Sequence, residues 1–140
     1  MSLYKVKLTR NLRRSLLQGH PWVYREAIAQ GAAAPNRAQL VKVLDQKNEH
    51  LGWAIFDPHS PLALRFICTA DAPPTAAFFE RRLARAFALR QPLRADLREE
   101  YRTNAYRLFN GEGDLLPGLV CDIYNRVAVL QFDGDGPREF

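Results

Sequence analysis

Residues 39–67, QLVKVLDQKNEHLGWAIFDPHSPLALRFI, carry the clearest pattern of secondary structure in this chain. They hold three short runs rich in aliphatic and aromatic residues, at 39–44, 51–56 and 62–67, separated by two turn-rich pieces. Short and evenly spaced runs of this kind predict consecutive β-strands. Because one small helix candidate precedes them, we predict a compact, β-barrel-like module.

The residues before this stretch predict one more strand and a short helix. Residues 4–8 alternate apolar and basic side chains, which indicates a half-buried strand whose lysines face water. Thr9 can cap the helix, in which Leu12 and Leu16 stack one turn apart. Gly19 lies where a left-handed residue would end that helix.

The residues after it predict a second unit of different composition. We expect a linker at 71–75, then a helix capped by Thr75 and ending near Pro92. Its apolar face would comprise Phe79, Leu83, Ala86 and Phe87, with Arg81, Arg82, Arg85 and Arg90 on the remaining surface. Strands at 105–109, 119–124 and 127–132 would complete a helix-plus-antiparallel-sheet unit. The predicted class is therefore α+β, with domains at 1–70 and 76–140, and we expect the second to be incomplete.

Composition supports a folded, basic protein with polyanionic partners. The 140 residues are 47% apolar and carry a formal net charge of +5, and Arg outnumbers Lys. The planar guanidinium suits phosphate, so the balance favours nucleic acid. No secretory signal or membrane-spanning run is visible, which predicts a cytoplasmic location. Cys68 and Cys121 lie apart in apolar runs, and this pattern predicts inert thiols and no metal site.

Basic residues near the amino end are the best phosphate-binding candidates, namely Lys5, Lys7, Arg10, Arg13 and Arg14. The alternative, a solvated helix face, stays open. Trp22 is most simply a core aromatic, and His20 a surface or hydrogen-bonded turn residue. The segment that contains both would shape a cleft beside Arg10, Arg13 and Arg14. The loop 110–114 is best explained as a turn-rich connection, because Glu112 and Asp114 in an exposed loop would have ordinary pKa values.

Three segments, in this order and spacing, resemble a known family. They are Gly19-His20-Pro21-Trp22-Val23-Tyr24 after the basic residues 10–14, then residues 52–65, and then Tyr106-Arg107-Leu108 with residues 111–120, Asp122 and Tyr124. Together they resemble the class I S-adenosylmethionine-dependent methyltransferases that make 5-methylcytosine in large-subunit ribosomal RNA. One departure stands out: the family usually reads Asp-Gly-Leu-Pro-Gly where this chain has Leu115 after Asp114. If that position needs a positive φ, Leu115 strains the loop.

This resemblance implies an N-terminal PUA domain that binds structured RNA, 23S rRNA in the first place, followed by the start of a central α/β domain. It also implies that the Rossmann-like catalytic domain is absent, so that this segment holds no catalytic, cofactor or metal residues and is inactive alone. S-adenosylmethionine would serve the complete enzyme. The expected RNA-binding residues are Lys5, Lys7, Arg10, Arg13, Arg14, Gly19 and His20. The oligomeric state is left open, with a homodimer as one alternative.

We therefore carry a leading hypothesis and two alternatives. The first is an RNA-binding and substrate-positioning segment of a 23S rRNA 5-methylcytosine methyltransferase. The second is a free-standing, PUA-type RNA-binding adaptor without catalysis. The third is a small hydrolase that would use Glu112 and Asp114 as a carboxylate pair, a role for which the two residues have no evident activation.

Overall fold

The computed structural model describes residues 4–29, 35–95 and 103–139. The predicted domain ranges also include residues outside these segments. By contacts between residues, the chain divides into two compact units, residues 1–74 with 133–140, and residues 75–132. The last eight residues thus group with the first unit, and not with the second as the predicted range 76–140 has it.

The first unit is a small barrel of five strands with two short helices. The strands are β1 (Lys5–Lys7), β2 (Trp22–Tyr24), β3 (Gln39–Leu44), β4 (His50–Phe56) and β5 (Leu62–Cys68), and the helices are α1 (Arg13–Leu17) and, near the end of the chain, α3 (Asp135–Glu139). Their order in the sheet is β1-β3-β4-β5-β2, with β1 parallel to β3 and the other pairs antiparallel. The predicted barrel-like module is confirmed.

Backbone hydrogen bonds link the two outer strands of this sheet. The Ala29 N–H donates to the Lys7 carbonyl at 2.8 Å, and the Thr9 N–H donates to the Ala27 carbonyl at 2.9 Å. Between them Leu8 forms an antiparallel bridge with Ile28. The chain after β1 thereby meets the chain after β2, which leaves less of the edge open to solvent.

The barrel interior is apolar and comes largely from alternate residues of the strands. Val23, Val41, Val43 and Leu64 are fully buried there. Leu16 of α1 is 2% exposed and belongs to the same core cluster, with Leu12 packed against it. The predicted stacking of Leu12 and Leu16 is confirmed, but Thr9 does not cap the helix, because α1 begins at Arg13 and its N-cap position is Leu12.

Residues 133–139 are fixed to the barrel by two anchors. The buried Asp57 carboxylate accepts the Gly136 N–H at 3.0 Å. Arg65 donates to the Asp133 carboxylate at 2.5 Å and to its carbonyl at 3.0 Å. Burial alone would raise the pKa of Asp57, but the backbone N–H groups of Gly136, His59, Ser60 and Asp135 outweigh it and lower the pKa. An ionised Asp57 therefore holds the segment in place.

The second unit consists of helix α2 (Ala76–Ala95) and a three-stranded antiparallel sheet, in the order β6 (Ala105–Asn110), β7 (Leu119–Tyr124), β8 (Val127–Phe132). A 3-10 turn at Gly111–Asp114 follows β6. The predicted helix-plus-sheet arrangement and the α+β class are confirmed. The helix continues through Pro92, which costs one backbone hydrogen bond only in its last turn.

The helix packs on the sheet through part of its predicted face. Phe79, Leu83 and the buried Ala86 join Leu108, Phe109 and other sheet residues in one apolar cluster. Phe87 was predicted for this face, and that prediction is wrong, since its side chain is 48% exposed. Cys121 is buried in the cluster as a free thiol, and burial, followed by the neighbouring Asp122, raises its pKa. This agrees with an inert thiol.

Candidate nucleic-acid interface

Helix α1 ends in the predicted left-handed turn. Gly19 has a φ of +96°, its N–H donates to the Leu16 carbonyl at 3.1 Å, and the His20 N–H donates to the Ser15 carbonyl at 3.0 Å. Open space surrounds the position where a Cβ would lie on Gly19. The glycine is needed there for its backbone conformation, and the turn sends the chain into β2.

A cleft of about 210 Å³ opens beside α1 and β2. Leu12, Leu16 and Ala27 supply apolar lining, while Arg10 and Glu26 supply charge. The remaining lining residues are Ser15, His20, Trp22 and Tyr24. The arrangement combines aromatic rings, an apolar surface and an exposed ion pair, which suits a ligand with a flat face and a charged edge.

The two aromatic residues of β2 face outward. Trp22 is 40% exposed and Tyr24 is 49% exposed, while Val23 between them is fully buried. The interpretation of Trp22 as a core residue is therefore wrong. Alternation along the short strand puts only the middle side chain in the barrel, and Trp53, 2% exposed with its indole N–H donating to the Ala70 carbonyl at 2.9 Å, is the buried tryptophan instead.

His20 is held against Trp22. Its Nδ1 accepts the Trp22 backbone N–H at 3.2 Å, and the two rings meet edge to face with centroids 6.4 Å apart. The prediction of a hydrogen-bonded turn residue is confirmed. Because Nδ1 acts as an acceptor, the proton of the neutral ring is on Nε2, which is then available as a donor.

Arg10 belongs to this cleft and keeps an available charge. It pairs with Glu26 at 3.4 Å, but the two side chains are 61% and 67% exposed. A pair this exposed contributes little free energy, so a stronger anion can displace Glu26 from the guanidinium.

Arg13 points to a different partner. It donates to the Asp45 carboxylate from two nitrogens, at 3.1 and 3.0 Å, and to Glu49 at 2.8 Å. Asp45 also accepts the backbone N–H groups of Lys47 and Glu49 at 2.8 and 2.9 Å. Desolvation alone would raise the pKa of Asp45, but these N–H groups and Arg13 lower it. Arg13 thus secures the turn between β3 and β4, on a surface separate from the cleft that Arg10 lines.

Lys5, Lys7 and Arg14 present their charge to solvent. Lys5 and Arg14 are exposed and Lys7 is partly exposed, while Val6 between the lysines is buried. Across the described part of the chain, none of these three side chains has an ion-pair partner. The structure therefore distributes the predicted cations, with Arg10 at the cleft, Arg13 at a turn and the other three free.

Sequence reasoning missed the exposed Trp22 and Tyr24 as candidate ligand-binding residues. The signal was available in the period-two alternation of residues 22–24, which places both rings on one face whenever Val23 faces the core. The size and hydrophobicity of Trp22 favoured its burial, whereas the alternation along the strand favoured its exposure. The two criteria conflict at an outer strand.

The loop 110–114 of the second unit was predicted to expose both of its carboxylates, Glu112 and Asp114, but the Asp114 side chain is largely buried. Asp114 has a 5% exposed side chain and a bidentate pair with Arg90, at 2.5 and 2.7 Å, and it accepts the Asn110 N–H at 2.7 Å. The Arg90 hydrogen bonds hold the pKa of Asp114 below its usual range despite desolvation. The expectation of ordinary pKa values is wrong for Asp114, and a carboxylate so engaged does not act as a hydrolytic base.

Leu115 occupies the strained position that the sequence suggested. Its φ is +60° and its ψ is 28°, the left-handed region that glycine adopts without cost. The Leu115 N–H donates to the Glu112 carbonyl at 3.0 Å, and the Arg82 guanidinium donates to the Leu115 carbonyl at 2.5 Å. The surrounding bonds hold a residue type that does not favour this conformation.

Neither unit offers an evident site for a metal or for S-adenosylmethionine. Within residues 4–29, 35–95 and 103–139, no group of three His, Cys, Asp or Glu side chains is placed to hold a metal ion. In the same residues the parallel strands β1 and β3 are joined through α1, β2 and a 3-10 turn, and not through a single crossover helix as in the folds whose strand ends commonly hold nucleotide-like cofactors. The described residues do not fit that cofactor, and we derive no step of methyl transfer from them. No helix among them is long and apolar enough to cross a membrane.

Comparison with known proteins agrees with this description. Residues 6–69 match the family model of the PUA-like domain. A ribosomal RNA large subunit methyltransferase I from Alteromonas mediterranea is 36% identical over 119 residues, which are 84% of this chain and 29% of that protein. The protein of the same name from Tolumonas auensis is 35% identical over 94% of this chain and 32% of its own length.

A solved structure shows the same fold. It is a Streptococcus mutans protein provisionally described as a SAM-dependent methyltransferase, with a TM-score of 0.78 and 17% identity over 98% of this chain and 35% of its own. This chain spans about a third of the length of the relatives it matches. Residues 6–69 are thus similar to the PUA-like domain, and the chain is similar over most of its length to a segment of about a third of the length of ribosomal RNA large subunit methyltransferases.

Proposed function

We propose that this chain is the RNA-binding and substrate-positioning segment of an S-adenosylmethionine-dependent methyltransferase that acts on carbon 5 of a cytosine in 23S rRNA, in the cytoplasm. The names of the relatives support ribosomal RNA methylation. The cytosine specificity rests on the family resemblance of the sequence motifs. Cofactor binding and chemistry belong, in this proposal, to residues outside the chain.

The observation that carries the proposal is the state of the cations near the amino end. Lys5, Lys7 and Arg14 have no ion-pair partner in the described structure, and Arg10 has only an exposed one. A rigid barrel supports them through the buried Val6, Leu8 and Leu16. Preorganised positive charge on a rigid domain is what binding to a phosphate backbone requires.

The other predicted site residues have supporting roles in this proposal. Arg13 holds the turn of residues 45–49, and Gly19 allows the turn that brings His20 beside the cleft. Structured RNA hides its base edges in a deep groove, so recognition through backbone and shape fits such a surface.

The binding part is tested by titrating the chain with a 23S rRNA fragment at several salt concentrations. With about four phosphate contacts, the log–log slope of affinity against salt should be about −3. Arg14→Ala should weaken binding and make the slope shallower by roughly one. Arg126→Ala, which removes one exposed charge from the β7–β8 turn, is the matched control and should have a smaller effect.

Two results would contradict this part of the proposal. Binding that is absent or independent of salt would exclude a phosphate-contacting surface. Equal losses for the Arg14 and Arg126 variants would reduce the interaction to net charge, without a specific site on the barrel.

The methyl-transfer part is tested in cells. Disrupting the gene should remove one 5-methylcytosine from 23S rRNA, detected by bisulfite sequencing, and an intact copy should restore it. An unchanged methylation pattern would contradict the proposed reaction and would favour an adaptor without catalysis.

A further inference from the structure

We propose that helix α2 of the second unit carries a further contact for the RNA backbone, formed by Arg81, Arg82 and Arg85. The inference rests on the proposed function and extends it, since it assigns phosphate binding to a surface outside the barrel. The ligand is a ribose-phosphate strand, which the arginines bind through its charge and independently of its base sequence.

The first argument is that two of these arginines have no anion to neutralise them. Arg81 and Arg85 are exposed. In the part of the chain that the structure describes, neither side chain forms an ion pair. Arg90 on the same helix differs, because it pairs with the largely buried Asp114 and so contributes to the fold. Arg81 and Arg85 make no such contribution, and their charge is available to a partner.

The second argument is that this placement of charge works against the helix itself. Arg81 and Arg85 are four residues apart, a spacing at which like charges on one helix face repel each other. Glu80 is the only acidic residue of α2, and the first turn of the helix holds none. Cations in the first half of a helix gain nothing from its dipole, whose negative end is at the last turn. A charge pattern that disfavours its own helix is typical of a functional surface.

The third argument is the ordered position of Arg82 next to them. The central carbon of its guanidinium lies 4.1 Å from the centre of the Phe78 ring, a cation–π contact. The same guanidinium donates to the Leu115 carbonyl at 2.5 Å. Because a ring and a carbonyl both hold Arg82, its positive charge has a defined place beside Arg81 and Arg85. Little side-chain freedom then remains to be lost when a ligand binds.

The chemistry of the three side chains suits a phosphate backbone. A guanidinium can donate two parallel hydrogen bonds to one phosphate, and it stays charged at any physiological pH. Residues three and four apart on a helix have Cβ atoms about 5–6 Å from each other, so the three guanidinium groups form one continuous patch. An RNA that contacts this patch as well as the barrel releases more counterions than one that contacts the barrel alone.

Salt titration with 23S rRNA fragments of increasing length measures the additional contacts. The slope of about −3 counts four contacts of the barrel alone, and it should become steeper by roughly two on fragments long enough to reach α2. Replacing both exposed arginines, Arg81→Ala with Arg85→Ala, should remove this increment and weaken binding of the long fragments about tenfold. A short hairpin that occupies only the barrel should bind this double variant as it binds the parent.

Matched variants separate a specific contact from net charge and from folding. Arg37→Ala with Arg126→Ala removes the same charge from two exposed side chains, one in each unit, and should have a much smaller effect. Arg81→Lys with Arg85→Lys keeps the charge and should keep the slope. Because alanine favours helices and the change removes a like-charge pair, the double alanine variant should unfold at no lower temperature than the parent, as measured by ellipticity. Its loss of affinity then cannot come from unfolding.

The outcomes separate this inference from the proposed function. If the double alanine variant keeps the affinity and slope of the parent on every fragment, while parent binding falls with salt, the α2 contact is refuted and the proposed function stands. Equal losses for the two double alanine variants also refute the contact, because they indicate net charge alone. Polyglutamate that displaces the long fragment as well as RNA of equal charge would assign the surface to an acidic protein instead. If the parent binds no RNA, both proposals are wrong.

Discussion

The first and the second unit of the chain are each stabilised by different kinds of internal contact. The first is a barrel around a large apolar core, in which residues 7–9, at and after the end of β1, are hydrogen-bonded to residues 27–29, which follow β2. The second is an open sheet whose last strand, β8, is exposed along its whole length, over a smaller apolar cluster. Polar contacts from the arginines of α2 also stabilise the second unit. Arg82 donates to the Leu115 carbonyl, and Arg90 pairs with Asp114 and donates to the Arg107 carbonyl.

This difference shows what each unit requires from its residues. The barrel depends on close backbone approach and apolar volume, so small steric changes inside it cost most. A small open unit has less apolar area to bury and depends more on individual polar contacts. The two tryptophans both lie in the first unit, so tryptophan emission reports that unit, while far-UV ellipticity is dominated by α2 of the second.

The largest expected effect is that of Gly52→Ala in the barrel. A Cβ at this position of β4 would lie 2.1 Å from the Cys68 carbonyl oxygen and 2.5 Å from the Phe66 ring. Backbone cannot rotate away, so we expect a loss of about 4 kcal/mol or more in unfolding free energy. Denaturant unfolding followed by tryptophan emission measures it. Gly113→Ala in the second unit, where a Cβ meets nothing closer than 3.8 Å and unfolding is followed by ellipticity, is the control. A loss below 1 kcal/mol would show that the strands can separate.

A smaller effect is expected in the second unit from Asp114→Asn. The change leaves the largely buried Arg90 guanidinium without its anion, at a cost of about 3 kcal/mol. Ellipticity should register the loss, and tryptophan emission should change little. Asp122→Asn, at a more exposed pair with Arg107, should cost much less. Equal losses for the two variants would contradict the importance of the buried pair.

The same pair makes the second unit sensitive to acid. Because the folded pKa of Asp114 lies below its ordinary value of 3.8, its stabilisation is complete above that pH and is lost as the pH falls through the folded pKa. In Asp114→Asn this loss should vanish from the pH dependence of the ellipticity transition. A parent and a variant with parallel acid transitions would disprove the linkage.

The smallest effect, opposite in sign, is that of Leu115→Gly. Glycine adopts the left-handed conformation without the clash that Leu115 incurs, so the unit should gain up to about 1 kcal/mol. Leu115→Ala keeps the unfavourable φ and should show no gain. The thermal midpoint by ellipticity measures both variants, and a stabilised alanine variant would mean that the side chain, not the backbone, is responsible.

Local patterns in the sequence were enough to predict most elements. The strands at 39–44, 119–124 and 127–132 agree with the structure to the residue, because their apolar runs are bounded by turn formers. The left-handed turn at Gly19 was also predictable from the sequence pattern, and the strained position of Leu115 was expected from the resemblance to a family that has glycine there.

Contacts between distant residues were not predictable in this way. Arg13 and Arg14 are neighbours in the chain, yet one is bound to Asp45 and Glu49 and the other is free. Arg90 looked like a solvent-facing residue of α2, and its pairing with Asp114 depends on how the helix packs on the sheet. The return of residues 133–139 to the barrel depends on the buried Asp57, some eighty positions earlier in the chain.

Short-range periodicity and composition were sufficient to predict the α+β class, the order of the strands and helices and the basic character of the amino-terminal segment. Only the tertiary structure decided which charges are neutralised and which aromatic rings stay in water. That is a property of packing: whether a side chain meets a carboxylate, a core or solvent is set by strands far away in the chain. The cleft beside Trp22 exists for this reason: Trp22 lies on the outer strand β2 and stays exposed, whereas Trp53 of β4 is buried.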